Sequence, residues 1–261
     1  LQEVARELGL ERAGVESWQL NEGQLAAGVA ILSGTDRFLN IQGVAGAGKS
    51  TLLGALDKVL GAEGVKLIGL AFQNKMVADL RGGASGTMSV EQMKEAGIEA
   101  WTIAGFINKH GSAAAHGSGE RFEASKAALS NTVIITDESS MVSSRDMLRL
   151  TAIAEQLDVA KAPFMGDRQQ LSAIEQGKMF AVSQAAGQAT VRMDENIRQR
   201  NSPLLLAVAG LSNEGHASLA LDLLAAHGRV IEASQNHVAR AAELWLSLSP
   251  DAMRSRTSSR R

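Results

Sequence analysis

The chain has 261 residues, 45% of them hydrophobic and 21% charged, with 26 Gly and 3 Pro; it is long enough for a sizeable core, and wholesale disorder, collagen-like repetition and a coiled coil are excluded. It contains no Cys, so disulfide frameworks, thiolate catalysis and Cys-based zinc or iron–sulfur sites fall away, and a reducing, cytoplasmic setting is expected. The formal net charge of −2 provides no global field for nucleic acid, no run approaches the ~20 apolar residues of a spanning helix, and there is no Tyr to act as a nucleophile.

From Leu1 to Leu32, apolar residues recur at helical spacing (Val4, Leu8, Leu20, Leu25, Val29, Leu32), broken by Gly9, Gly14 and Gly23, which predicts two or three short helices. Phe38 to Gln42 predicts a short strand ending in a glycine cluster. A helix from about Lys49 to Leu60 and a strand over Lys66 to Ala71 complete a β-loop-α-β unit. Two further apolar runs, Thr132 to Thr136 and Ala162 to Gly166, are each followed by acids. Strands alternating with helices predict an α/β fold with a mainly parallel sheet covered on both faces.

Gly82 to Ser89 and Gly111 to Glu120 are rich in Gly, Ser and Ala and read as exposed loops. Beyond Arg200 the pattern predicts helices at Pro203 to Leu211, Ala217 to Ala226 and His237 to Leu248, with a strand at Gly228 to Glu232. Ser249 to Arg261 has no apolar period and reads as a solvated tail, although its four arginines could touch phosphate.

Gly43-Val-Ala-Gly46-Ala-Gly48-Lys49-Ser50 fits G-x-x-x-x-G-K-[ST] and lies between a predicted strand and a predicted helix, where a phosphate-binding loop has to be. Glycines let backbone N–H groups close around phosphate oxygens, and the helix N-terminus adds positive potential. Lys49 would supply a point charge to the β- and γ-phosphates of ATP, Ser50 would ligate Mg²⁺, and Thr51 extends the loop's contact with the nucleotide. Such a loop needs an acid at a neighbouring strand end to hold the metal through water. Asp137 fills that place after Thr132 to Thr136, with Glu138 behind it to orient and deprotonate the attacking water. An acid at a strand end can also cap the turn that follows, and Ser139 and Ser140 do follow.

Gly166-Asp-Arg-Gln-Gln170-Leu and Glu195-Asn-Ile-Arg198-Gln are surface turns by composition alone. A strand-end Gln can also sense the γ-phosphate, and a facing Arg can stabilise charge on the transferred group. The five His, at 110, 116, 216, 227 and 237, are scattered without a paired ligand motif and read as surface or capping residues.

Taken in order, these segments resemble a superfamily 1 DNA helicase of the RecD-like group, and most closely the helicase part of conjugative relaxases of the MobF/TraI type. Leu20-Asn-Glu-Gly-Gln24 resembles the Q motif, Gly43 to Ser50 motif I, Gly69 to Lys75 motif Ia, Ala100 to Phe106 the following DNA-contact motif, Thr136 to Ser140 motif II, Gly166 to Leu171 motif III and Glu195 to Gln199 motif IV. The resemblance implies a RecA-like P-loop NTPase with Gln24 reading adenine, Gln170 coupling phosphate state to DNA and Arg198 touching the γ-phosphate. It also implies single-stranded DNA contacts at Gln73, Asn74, Trp101 and Thr102. Phe72 and Gln73 stand where the group usually has a Pro and a hydroxyl residue.

The expected organisation is a helical segment over 1–36 carrying the Q motif, a RecA-like domain over 37–200, and the start of a second lobe over 201–261. The later motifs of a second RecA-like domain are not found before Arg261 and the first residue is Leu, so a piece of a larger protein is expected. The implied partners are single-stranded DNA and the conjugative-transfer machinery. The expected activity is ATP hydrolysis, incomplete as a helicase in isolation. The alternatives are a vestigial nucleotide- or DNA-binding module without turnover, and a small-molecule P-loop kinase.

Overall fold

Four of the predicted strands become the four interior strands of one sheet, where burial on both faces favours apolar residues and leaves polar ones such as Asn40 and Gln42 only where they find partners. The computed structural model describes residues 1, 3, 19–72, 77, 98–169, 178–232 and 236–247. The chain divides into two compact units, Leu1–Glu195 and Asn196–Arg261.

In the first unit the elements run α1 (Glu22–Ser33), β1 (Asn40–Gly43), α2 (Lys49–Ala62), β2 (Lys66–Ala71), β3 (Glu99–Thr102), α3 (Ile103–His116), α4 (Glu120–Leu129), β4 (Thr132–Thr136), a 3₁₀ turn (Ser139–Met141), α5 (Ser144–Gln156), β5 (Phe164–Gly166), α6 (Met179–Ala185) and β6 (Thr190–Met193). The strands form one six-stranded sheet in the order β3-β2-β4-β5-β1-β6, and every pairing is parallel. The edge strands β3 and β6, with their mixed burial, are the two that the apolar runs do not announce.

Alternation along the interior strands divides the core in two. Val133 and Ile135 of β4 face a layer with Ala27 and Ile31 of α1 and Leu52, Leu53 and Leu56 of α2. Ile134 faces the other layer, with Phe106 and Ile107 of α3, Leu150 and Ile153 of α5, and Phe180 of α6. Each face would lose about 2–5 kcal/mol for a single Leu or Ile cut to Ala at these fully buried positions.

The run Gly111 to Glu120 departs from the expected loop, since α3 continues to His116 before Gly117 turns the chain at φ 66°. A Cβ added at Gly111 would lie 3.5 Å from Ile107 Cγ2 and 3.9 Å from Ile153 Cδ1. Ala113 and Ala114 are buried. Small residues here let α3 pack closely on α5, and that looks like loop composition when read locally.

The second unit holds α7 (Pro203–Asn213), α8 (Ala217–Ala226) and α9 (His237–Leu246). Ser202 caps α7 by accepting the Leu205 N–H (3.4 Å), with Pro203 in the first turn. The strand expected at Gly228 to Glu232 is not formed. Gly228 instead ends α8 at φ 63°, with the Arg229 N–H donating to the Leu224 carbonyl (2.9 Å) and the Gly228 N–H to the Ala225 carbonyl (2.9 Å). That is a glycine helix stop, which satisfies carbonyls the helix end would leave free.

Among the described residues no helix is long and apolar enough to cross a membrane.

Candidate active site

Because the strands are all parallel, the loops after β1, β4 and β5 emerge at the same edge, and β5 lies between the other two in the sheet. The loop after β1 starts at buried Gly43 and enters α2 through Gly48, whose left-handed backbone (φ 77°) forms the helix N-cap without a side-chain bond. Gly46 is also left-handed (φ 82°). An α2 N-terminus uncapped by any side chain leaves first-turn N–H groups for an anion. Lys49 folds back over the loop, its Nζ donating to the Gly43 carbonyl (3.5 Å), and a Cβ on Gly43 would lie 3.3 Å from Lys49 Cδ. Ser50 is exposed in the first turn of α2, and the Thr51 N–H donates to the Gly48 carbonyl (3.1 Å).

At the end of β4 the two acids separate. The Asp137 N–H donates to the Leu70 carbonyl (2.8 Å), which ties the strand end to β2, and its Oδ1 accepts the Glu138 N–H (2.9 Å). Glu138 takes a left-handed backbone (φ 48°), a conformation that costs a non-glycine residue about 1 kcal/mol or more. That strain brings its Oε1 to 3.7 Å from Lys49 Nζ, with both side chains mostly covered. Burial pushes the Asp137 carboxyl up to about 6; Lys49 pulls it down, while Glu138 raises it further.

The Ser50 hydroxyl and the Asp137 carboxylate are hard oxygen donors, the chemical class that fits Mg²⁺. Among the described residues no group of three or more His, Asp or Glu could hold a metal ion. A cation here would therefore share its shell with phosphate oxygens and water, which is how Mg²⁺ usually sits in nucleotide sites.

The end of β5 carries a network that composition did not reveal. Gln42, buried on β1, donates from Nε2 to Asp167 Oδ1 (2.9 Å), while its Oε1 accepts the Arg168 N–H (3.2 Å) and Gln184 Nε2 (3.3 Å). Asp167 Oδ1 also accepts the Gln169 N–H (3.0 Å). The segment leading to Gln170 is thus fastened to the strand that carries the phosphate loop. The only sequence signal was a Gln just before the first glycine of the loop, on a strand otherwise read as apolar.

Gln24 is fully buried, donating from Nε2 to the Gly48 carbonyl (3.0 Å) and accepting the Asn21 N–H at Oε1 (3.0 Å). Trp101 packs against the core layer of α3, donates its indole N–H to Glu99 (2.8 Å), and carries Lys109 Nζ over its ring at 4.4 Å from the centroid, so that face of the ring is covered. Thr102 caps α3 by accepting the Gly105 N–H (3.1 Å), which leaves its own O–H to donate. Arg198 falls in the second unit. Gln73, Asn74 and Gln170 lie outside the described residues.

A cavity of about 370 Å³ lined by Phe38, Met147, Phe164 and Met179 lies at the opposite, amino ends of β1 and β5, away from these groups.

The chain is 32% identical over 199 residues to the multifunctional conjugation protein TraI of Escherichia coli (strain K12), covering 75% of this chain and 10% of that one. It is 29% identical over 237 residues to the probable conjugal transfer protein TraA of Sinorhizobium fredii (strain NBRC 101917 / NGR234), covering 88% of this chain and 19% of that one. The chain therefore spans a tenth to a fifth of the length of these curated relatives. Its fold is similar to that of the Pif1 helicase from Candida albicans, with a TM-score of 0.53 at 19% identity over 84% of this chain and 50% of that one. The resemblance to superfamily 1 helicases near the conjugative relaxases is thus met over most of the sequence. The family described as AAA domain, AAA_30, matches residues 19–235, and the chain belongs to it.

Proposed function

We propose that the chain is the ATP-binding and ATP-hydrolysing motor domain of a conjugative-transfer helicase that acts on single-stranded DNA. The observation that carries this reading is the meeting of Lys49 and Glu138 at 3.7 Å, on loops from separate strands, beside the uncapped N-terminus of α2. The first-turn amides of α2 and Lys49 would receive the β- and γ-phosphates. Ser50 and Asp137 would hold Mg²⁺, which when bound offsets charge on the phosphate oxygens. In hydrolysis the water oxygen bonds to the γ-phosphorus, the bond to the ADP oxygen breaks, and Glu138 takes the water proton.

An arriving nucleotide would draw Lys49 from Glu138 to phosphate, which frees the carboxylate to work as a base. Arg198 and Gln170 are proposed as the γ-phosphate contact and the coupling residue. Single-stranded DNA would cross the carboxyl edge of the sheet, where the Thr102 O–H and the N-terminus of α3 can meet phosphate, with Gln73, Asn74 and Trp101 as further contacts. Unwinding is proposed to need more than this one sheet, because the described residues form a single six-stranded sheet.

The test is phosphate release with and without single-stranded DNA, for the wild type beside Glu138→Gln. DNA-stimulated turnover that falls by about 10²-fold or more in the variant, with ATP still bound, is expected. ATP binding without turnover in the wild type would favour the vestigial module, and γ-phosphate found on a small acceptor in place of water would favour the kinase.

A further inference from the structure

Around β1 the side chains alternate. Leu39 and Ile41 enter the core layer of α1 and α2, while Asn40 and Gln42 turn to the layer where α6 packs. Two amides on a strand buried along its whole length are costly unless each finds partners. Both find one on α6: Asn40 Nδ2 donates to Ser183 Oγ (3.1 Å), and Gln184 Nε2 donates to Gln42 Oε1 (3.3 Å).

Gln42 also reaches the chain that leaves β5. Its Nε2 donates to Asp167 Oδ1 (2.9 Å) and its Oε1 accepts the Arg168 N–H (3.2 Å), while Asp167 Oδ1 accepts the Gln169 N–H (3.0 Å). Gln42 and Asp167 are buried, whereas Arg168 and Gln169 are exposed. The chain therefore comes out of the core here, and one glutamine holds its first exposed residues, directly or through Asp167. Both lone pairs of Oε1 are in use, so the same oxygen holds the chain where it leaves β5 and again at α6.

The residue after Gln42 is Gly43, the first of the phosphate loop, and its carbonyl accepts Lys49 Nζ (3.5 Å). A nucleotide that draws Lys49 to phosphate withdraws that donor from the peptide next to Gln42. Lys49 thus has two positions, one on Gly43 and Glu138 and one on phosphate, and Gln42 lies between it and the amides of Arg168 and Gln169.

We infer that Gln42 is a positioning residue that links the phosphate loop to the segment leading to Gln170. This rests on the ATP and DNA reading above. It deepens that reading by giving the link to a buried side chain, whose loss should separate DNA stimulation from ATP binding.

The experiment uses the full 261-residue chain. ATP turnover is measured with and without a single-stranded oligodeoxythymidine for the wild type, for Gln42→Met, which keeps the volume and removes the bonds, and for Gln42→Asn, which keeps an amide but draws it back by one methylene. The ratio of turnover with DNA to turnover without should fall by about 5-fold or more in both variants, through kcat and with the KM for ATP unchanged. Turnovers that fall by one factor, leaving the ratio intact, would make Gln42 merely structural and overturn the inference, as would a loss carried by KM. Amide resonances are also recorded as magnesium adenylyl imidodiphosphate is added. In the wild type Lys49, Arg168 and Gln169 should all move, and in the variants Lys49 alone. A wild type in which Lys49 moves and the other two stay would keep the nucleotide site and overturn the link. One in which none moves and no ATP is hydrolysed would remove the nucleotide reading and the link with it. Where DNA leaves wild-type turnover unchanged, or where both variants fail to fold, the wild-type resonances decide the link.

Discussion

Gly166 ends β5 directly behind the motif II turn, and the space there is filled. A Cβ at this position would lie 2.9 Å from the Ser139 amide nitrogen, 3.1 Å from that of Ser140 and 3.4 Å from Phe180 Cε1. Ordinary contact begins near 3.4 Å, so in Gly166→Ala the first distance must open by about 0.5 Å. The obstacle is backbone, and the Ser139 Oγ bond to the Thr136 carbonyl (2.8 Å) holds that turn in place. Overpacking of this kind costs about 1–3 kcal/mol. In a unit of this size the loss lowers Tm by roughly 2–12 °C.

Ser139 is bonded to Glu138, so the same displacement moves the carboxylate whose place beside Lys49 carries the functional reading. A shift approaching 1 Å can cost about 10²-fold in rate. Thermal melts and ATP turnover on the one variant should therefore fall together. A Gly166→Ala protein that melted within a degree of the wild type at full turnover would show that the turn is soft, and the geometric account of Glu138 would be wrong.

The opposite sign is expected at Gly61 in α2, where an added Cβ meets nothing within 4 Å: Gly61→Ala should raise stability by about 0.5–1 kcal/mol in urea titration. Gln42→Leu removes the donor to Asp167 and the acceptor for Arg168 and Gln184, and should cost about 1–3 kcal/mol by the same assay, with an unchanged midpoint as the contrary result. His110 is buried between Phe106 and Ser125 (3.2 Å to its Oγ), and burial, aided by Lys109 and opposed by Glu99, lowers its pKa from 6.5 to about 4. The unfolded chain takes up this proton first, so the contribution is whole above pH 6.5 and drains away as pH falls toward 4, to a total of roughly 3 kcal/mol. His110→Gln should flatten that part of the stability profile relative to the wild type; parallel profiles would refute it.

What could be read from the residues alone was whatever depends on near neighbours. The glycine spacing of the phosphate loop announced a backbone able to close around an anion, and the left-handed conformations of Gly46 and Gly48 are how the loop does so, because the steric demand is met within the loop itself. Three interior strands, β2, β4 and β5, were legible because burial on both faces favours apolar runs, and β1 because it leads into the glycine-rich loop, while the edge strands β3 and β6 lack such a signature. Local reading failed where composition had two meanings. The Gly and Ala of Gly111 to Ala114 serve close helix packing in place of a loop, and Gly228 stops a helix in place of opening a strand.

Tertiary structure alone decided how polar side chains are shared between distant segments. Gln42 meets Asp167 and Gln184 only because parallel pairing sets β1 beside β5 with Gln42 opposite Gly166. Gln24 reaches Gly48 only because α1 packs in the same core layer as α2. A glutamine carries a donor and an acceptor that will satisfy whatever is nearest once water is excluded, and the chain sequence does not say which groups those are until the sheet has formed.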